Sequence, residues 1–222
     1  MKRVLALSIV AVALAGCAHH KRVAHRTIPP PRPVPTPAPP VGSTETGVAS
    51  WYGHPYHGRQ AADGEIYDME TLVAAHRTLP FNTWVRVVNL DNSKSVDVRI
   101  IDRGPFVDGR IIDLSHAAAK AIDMIGPGVA NVEVVVTKVP DVVPAGVFAV
   151  QVGAFRNKDN AERMRANMAA RYGVAKLVQR ADTPDLWRVL VGAEATEDGA
   201  KALSARIRSE SGEKNGFVVR LD

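Results

Sequence analysis

Eight prolines fall between Pro29 and Pro40, and no other feature limits the fold of this chain so firmly. Proline lacks a backbone N–H and locks φ, so this density excludes helix and sheet and favours extended polyproline II at about 3.1 Å per residue. From Ala18 to Thr46 the chain is too polar to bury a core. Residues 17–46 therefore read as a tether that could reach up to about 90 Å. The 176 residues beyond it suit two small domains rather than one.

Ahead of the tether, Lys2 and Arg3 precede an apolar run from Val4 to Ala13 and then Leu14-Ala15-Gly16-Cys17. That is the order of a bacterial export signal, and the run is too short to span a membrane. Residues 1–16 read as a signal peptide. Cys17 is the single cysteine, which excludes an internal disulfide, and its place after Leu-Ala-Gly resembles the lipid attachment site of bacterial lipoproteins. Acyl methylenes at roughly 0.8 kcal/mol each would hold such a terminus in a membrane. Ala18 stands where that resemblance would put the aspartate of inner-membrane retention, so an outer-membrane lipoprotein facing the periplasm is expected. The formal charge of +5 falls to +3 without residues 1–16, which hold Lys2 and Arg3 and no acid. An exported basic protein rarely meets nucleic acid, so an anionic wall polymer is the expected partner.

In the first unit, residues 47–139, two β-rich runs (Trp84–Leu90 and Ser95–Ile101) flank the turn Asp91-Asn92-Ser93-Lys94. Val96, Val98 and Ile100 alternate with Ser95, Asp97 and Arg99. Continued one step, that alternation puts Asp102 on the apolar face at a strand end, a partly desolvated carboxylate suited to carrying a proton. Ser115 can cap a helix starting at His116, and Val132–Val139 is a last apolar strand. Short strands, one short helix and Gly-rich turns indicate a small closed barrel.

Residues 140–146 form a Pro/Gly-containing break before a second unit, residues 147–222. There the pattern Ala149-Val150-Gln151-Val152-Gly153-Ala154 returns thirty-nine residues later as Arg188-Val189-Leu190-Val191-Gly192-Ala193. Ala161, Met164, Met168 and Tyr172 mark one helix ending at Gly173. Ala200, Leu203 and Ile207 mark another that starts near Thr196. With strands near residues 174–179 and 217–221 the order is βαββαβ, one sheet with two helices on one face.

Six segments of the first unit carry most of its chemistry. They are Gly47-Val48-Ala49-Ser50-Trp51-Tyr52-Gly53, His57-Gly58-Arg59, Gly64-Glu65-Ile66-Tyr67-Asp68, Ala74-Ala75-His76-Arg77-Thr78-Leu79-Pro80, Val98–Phe106 and Gly109–Ser115. Together, over about residues 47–136, they resemble the rare lipoprotein A family. The resemblance implies a six-stranded double-psi β-barrel and lytic transglycosylase activity at the division septum. In that reaction a single acid/base residue can suffice, because the C6 hydroxyl of muramic acid attacks its own C1 and leaves a 1,6-anhydro end. Phe148–Phe155 together with Trp187-Arg188-Val189 resembles the SPOR domain, which implies binding of glycan strands stripped of stem peptides. The expected fold is thus mainly β plus α+β.

The resemblance puts functional acids on Asp102 and Glu65 and a functional histidine on His76. Cutting a β-1,4 glycosidic bond needs a protonated carboxyl at the leaving oxygen, and Asp102 is the first candidate. Glu65 would support it or share its proton, and His76 would orient a carboxylate or a sugar hydroxyl. Asp113 comes after these three, because capping the following helix would explain it. Trp51 and Tyr52 are candidates for a sugar-stacking platform or for the barrel core. Gln151, Trp187 and Arg188 would bind glycan on the open face of the second sheet. No metal-ligand spacing is present, and no cofactor is expected. Family members commonly have Thr at the position of Ala61 and Asn at that of Ile101. A barrel lacking those side chains could bind glycan without cutting it, in the manner of expansins, and a monomer is expected either way.

Overall fold

The computed structural model describes residues 39–180, 183–213 and 216–221. Cys17, the signal segment and most of the tether lie outside them. Strands β1 (Thr44–Tyr52), β2 (Val73–His76), β3 (Trp84–Asn89), β4 (Ser95–Asp102), β5 (Arg110–Ser115) and β6 (Val129–Lys138) close into a barrel in the order β1-β5-β2-β4-β3-β6. Closure leaves no strand edge unpaired. The pairs β1/β5 and β2/β4 run parallel and the other four antiparallel.

Alternation explains which side chains fill the barrel. Val85 and Val87 of β3, Val96, Val98 and Ile100 of β4, Ile112 and Leu114 of β5, and Val132 and Val134 of β6 all enter one core. Each contributes about 1.5–3 kcal/mol when fully buried. Helix α1 (His116–Ala121) closes one end, with Ala118 and Ala119 in the same core. Its N-cap is Ser115, whose hydroxyl accepts from the Ala118 N–H.

The second unit follows the expected βαββαβ order: β7 (Phe148–Phe155), α2 (Lys158–Tyr172), β8 (Ala175–Arg180), β9 (Thr183–Glu194), α3 (Glu197–Ser211) and β10 (Phe217–Arg220). Its sheet runs β10-β7-β9-β8. Asn157 caps α2 and Gly173 ends it at φ +90°, while Thr196 caps α3. Val150, Val152, Val189 and Val191 point toward the helices and pack with Ala161, Met168 and Ile207. The opposite face carries Ala149, Leu190 and Val219.

Candidate active site

Three strand pairings bring Ser50, Asp113, Ala75 and Asp102 into one line across β1, β5, β2 and β4. Directly paired residues share a sheet face. Their chain neighbours Ala49, Ile112, Leu114 and Ala74 fill the core, as does Ile100, which pairs with Ala74, so the line runs along the outer wall. Strand spacing sets the two aspartate backbones about 10 Å apart, with the Ala75 methyl between them. The loop after β4 passes close by: a Cβ on Gly104 would sit 3.5 Å from Asp113 Oδ2.

Asp102 reaches this wall by a route that alternation does not foresee. Between Ala74 and Ala75 the register of β2 on β4 slips, so Ala74 pairs with Ile100 and Ala75 with Asp102. Ile101 is the extra residue, and the alternation restarts one step late. Asp102 therefore lies on the opposite face from Ile100, correcting the expected core-side placement. Its side chain is nevertheless only 13% exposed. It accepts hydrogen bonds from the backbone N–H groups of Ala62 at 3.1 Å and Arg103 at 2.7 Å.

Asp113 does not cap α1. It accepts from the Ser50 hydroxyl, which itself accepts from Arg110 at 3.2 Å. Burial pushes the Asp113 carboxyl above its ordinary range, the Ser50 bond and Arg110 oppose that, and the nearby Asp102 charge adds to it. The surroundings of Asp113 thus shift it toward holding a proton.

Tyr52 lies two residues beyond Ser50 on the same face. Its ring stacks on Tyr67 at 4.2 Å and meets Tyr56 edge-on at 6.1 Å, so Tyr67 covers one of its faces. The Tyr52 hydroxyl is buried without a hydrogen-bond partner. Burial, followed by the charge of Asp102, pushes the phenol well above its ordinary range. Trp51 points the other way, partly buried against the barrel core and 5.6 Å from the His116 ring.

The other two motif residues stand apart from the aspartate line. Glu65 is exposed and gripped by both terminal nitrogens of Arg99 at 2.7 Å, which holds its carboxyl below the ordinary range. That pairing favours the ionised carboxyl and fixes its position in the turn. The turn serves Asp102 through the Ala62 N–H. His76 is buried, and its Nδ1 accepts from the N–H groups of Thr78 at 3.2 Å and Leu79 at 3.1 Å. The ring proton is thus on Nε2, 3.0 Å from Glu45 Oε2. His76 and Glu45 line a cleft of about 720 Å³ whose walls include neither Asp102 nor Asp113. The histidine locks a turn and orients Glu45. Sequence reasoning missed Asp63, whose side chain is 7% exposed and whose carboxyl burial pushes up. An acid just before Gly64 in the motif was the available signal.

A family model described as lytic transglycolase matches residues 44–134, and the SPOR domain model matches residues 144–220. The endolytic peptidoglycan transglycosylase RlpA of Campylobacter jejuni is 37% identical over 206 residues, covering 81% of this chain and 73% of that one. The chain belongs to the RlpA family. The RlpA of Vibrio cholerae is also 37% identical, over 191 residues that cover 82% of this chain and 72% of that protein. A probable RlpA of Synechocystis reaches 59% over 86 residues, 39% of this chain and 27% of its own length. No group of three or more His, Cys, Asp or Glu side chains that could hold a metal ion occurs among the described residues.

In this RlpA chain the second sheet does not gather its three candidates. Gln151 lies on the face away from the helices, paired with Leu190 and Phe217. Trp187 pairs with Phe155 and packs toward the helices, with Lys158 Nζ 4.9 Å above its ring. Trp187 thus faces away from Gln151, contrary to the shared glycan face expected of them. Gln151 and Arg188 are both buried, and Arg188 donates to Thr183 Oγ1 at 2.9 Å.

What covers that face is the barrel. Phe106 packs with Ala149, Leu190, Val219 and Val178, and its ring meets Phe217 edge-on at 6.1 Å. Arg103 Nε donates to the Arg220 carbonyl at 3.2 Å, and the Arg220 N–H donates to the Arg77 carbonyl at 3.0 Å. At the end of β8, Arg180 ion-pairs with Asp102 and donates to the Arg103 carbonyl at 2.9 Å.

Proposed function

We propose that this chain is an endolytic peptidoglycan transglycosylase. Its substrate would be peptide-stripped glycan strands at the division septum, where it cuts the bond between N-acetylmuramic acid and N-acetylglucosamine. The supporting observation is the Asp102–Ala75–Asp113 line, a strip of barrel wall with one carboxyl held toward its protonated form and a small residue between the acids. Asp113 donates its proton to the leaving glycosidic oxygen. The same carboxylate then accepts the proton of the muramic C6 hydroxyl as that oxygen bonds to C1, closing the 1,6-anhydro ring. Asp102 faces the positive charge that develops at the anomeric carbon. The second domain adds a second hold on the polymer through effective concentration.

The remaining elements concern place. Cys17 carries the lipid, the tether spans from the outer membrane into the periplasm, and the chain acts as a monomer. Digesting purified sacculi and weighing the products tests the activity. Anhydro-ended fragments from the unaltered chain, lost in Asp113→Asn and reduced in Asp102→Asn, support the reading. No fragments from a folded, glycan-binding chain would sink it.

A further inference from the structure

The two faces through which this protein would work on glycan are pressed against each other. Asp102 is covered by Arg180, and the sheet face that bears Gln151, Arg188 and Leu190 is covered by the barrel loop from Arg103 to Phe106. A polymer strand cannot enter either surface while they meet.

The chemistry of the contact says what could replace it. The barrel presents a carboxylate, Asp102, to Arg180, and an apolar ring, Phe106, to the patch of Val178, Leu190 and Val219. A peptide-free glycan strand offers the same pair of features in repeat: the free lactyl carboxylate of each muramic residue and the apolar faces of its sugar rings. Arg180, Val178, Arg188 and Leu190 share one face of neighbouring strands, since Val178 pairs with Arg188 and Lys176 with Leu190. We infer that the barrel loop and glycan compete for this face. Without polymer the second domain shields Asp102. When a strand takes over Arg180 and the apolar patch, it releases the barrel and delivers the wall bearing Asp102 and Asp113 to that strand. The contact is suited to such exchange, because among the described residues it is built largely from groups that water or glycan can replace: the Arg180–Asp102 ion pair, the Phe106 ring, the Arg77 guanidinium over Phe217 at 5.8 Å and bonds to backbone carbonyls, with residues 140–146 as the connection.

This inference rests on the function proposed above, and its test separates the two. The Arg220 amide bonds across the contact to Arg77 rather than within its own sheet, so its hydrogen exchange reports undocking directly. Saturating peptide-free glycan strands should speed exchange at Arg220 in the full chain, the opposite of the protection that simple binding confers. Phe106→Asp, which withdraws the barrel's ring from the patch and leaves Arg180 in place for glycan, should speed it without glycan and raise the release of anhydro ends about threefold to tenfold by enlarging the open population. Phe106→Ala should move both readouts less, in the same direction. Slower or unchanged exchange at Arg220 under saturating glycan overturns the competition, whether or not the chain cuts. Turnover by both variants at or below that of the unaltered chain overturns the shielding. A chain that never cuts sinks the proposed function and leaves the exchange result to stand by itself.

Discussion

The barrel and the second sheet solve the same problem, presenting polar groups on a β surface, in opposite ways. The barrel closes on itself, so its interior is fully spent on packing and its chemistry sits on the outer wall, placed by register alone. The second sheet has four strands and does not close on itself. Its own helices cover one face, and the barrel loop covers the other. A closed barrel can thus hold a site without a partner. An open sheet with an apolar second face depends on what lies against it.

The largest expected effect would break the barrel side of that contrast. Asp113→Asn should lower anhydro-end release on the order of 10²–10⁴-fold, measured on purified sacculi, with the fold retained. The same variant carries a pH signature. Because burial raises the Asp113 carboxyl, the unfolded chain ionises first as pH rises past the ordinary 3.8, and the native state loses stability through the window up to its raised value. The Asn variant should therefore melt higher than the parent at pH 7, with the difference vanishing below about pH 3.8. Glu45 has the opposite sign, since its bond to His76 lowers its carboxyl. Its contribution is present above the ordinary 4.5 and is lost as pH falls through the lowered value.

Next in size is a test of the second domain. Phe148→Ala should cost about 3–5 kcal/mol of that unit's stability, because the ring is fully buried at 1% exposure. Chemical denaturation followed at Trp187, with the barrel tryptophans Trp51 and Trp84 replaced by Phe, would read it. An equal shift of the barrel transition, followed at Trp51 and Trp84 in a chain with Trp187 replaced by Phe, would mean the two units unfold as one. Tyr52→Phe should be smaller and reversed in sign. Removing a buried hydroxyl without a partner should stabilise the barrel by about 1 kcal/mol, visible as a higher melting temperature. The smallest effect belongs to the exposed Glu65–Arg99 pair, where a double-mutant cycle should return less than about 1 kcal/mol. A larger value would mean that this turn supports Asp102 more strongly than one backbone bond suggests.

Local patterns made much of this molecule legible. Val96, Val98 and Ile100 announced β4, Thr196 its helix start and Gly173 a helix end, because periodicity and caps are decided within a few residues. The family motifs pointed to Asp102. Its face was misread because the slip at Ala74/Ala75 arises between two strands far apart in sequence. The hydroxyl that bonds Asp113 lies 63 residues away on Ser50, so no local pattern carries it. Trp187 was placed with Gln151 because the register shifts along β7 and β9 are invisible in one strand's pattern. Arg180, 78 residues from the carboxylate it covers, left no local trace.

Ala61 and Ile101, far apart in sequence, meet in space. Both are buried in a small cluster with Tyr67 and Val73, edged by Tyr52 and Met69. The niche is apolar except for its tyrosines, and Asp102 beside it is held by the backbone N–H groups of Ala62 and Arg103 rather than by a side chain from either position. A small methyl and a branched chain here seal the back of the strand that carries the acid, so the carboxylate is positioned by main chain that substitution of its neighbours leaves in place.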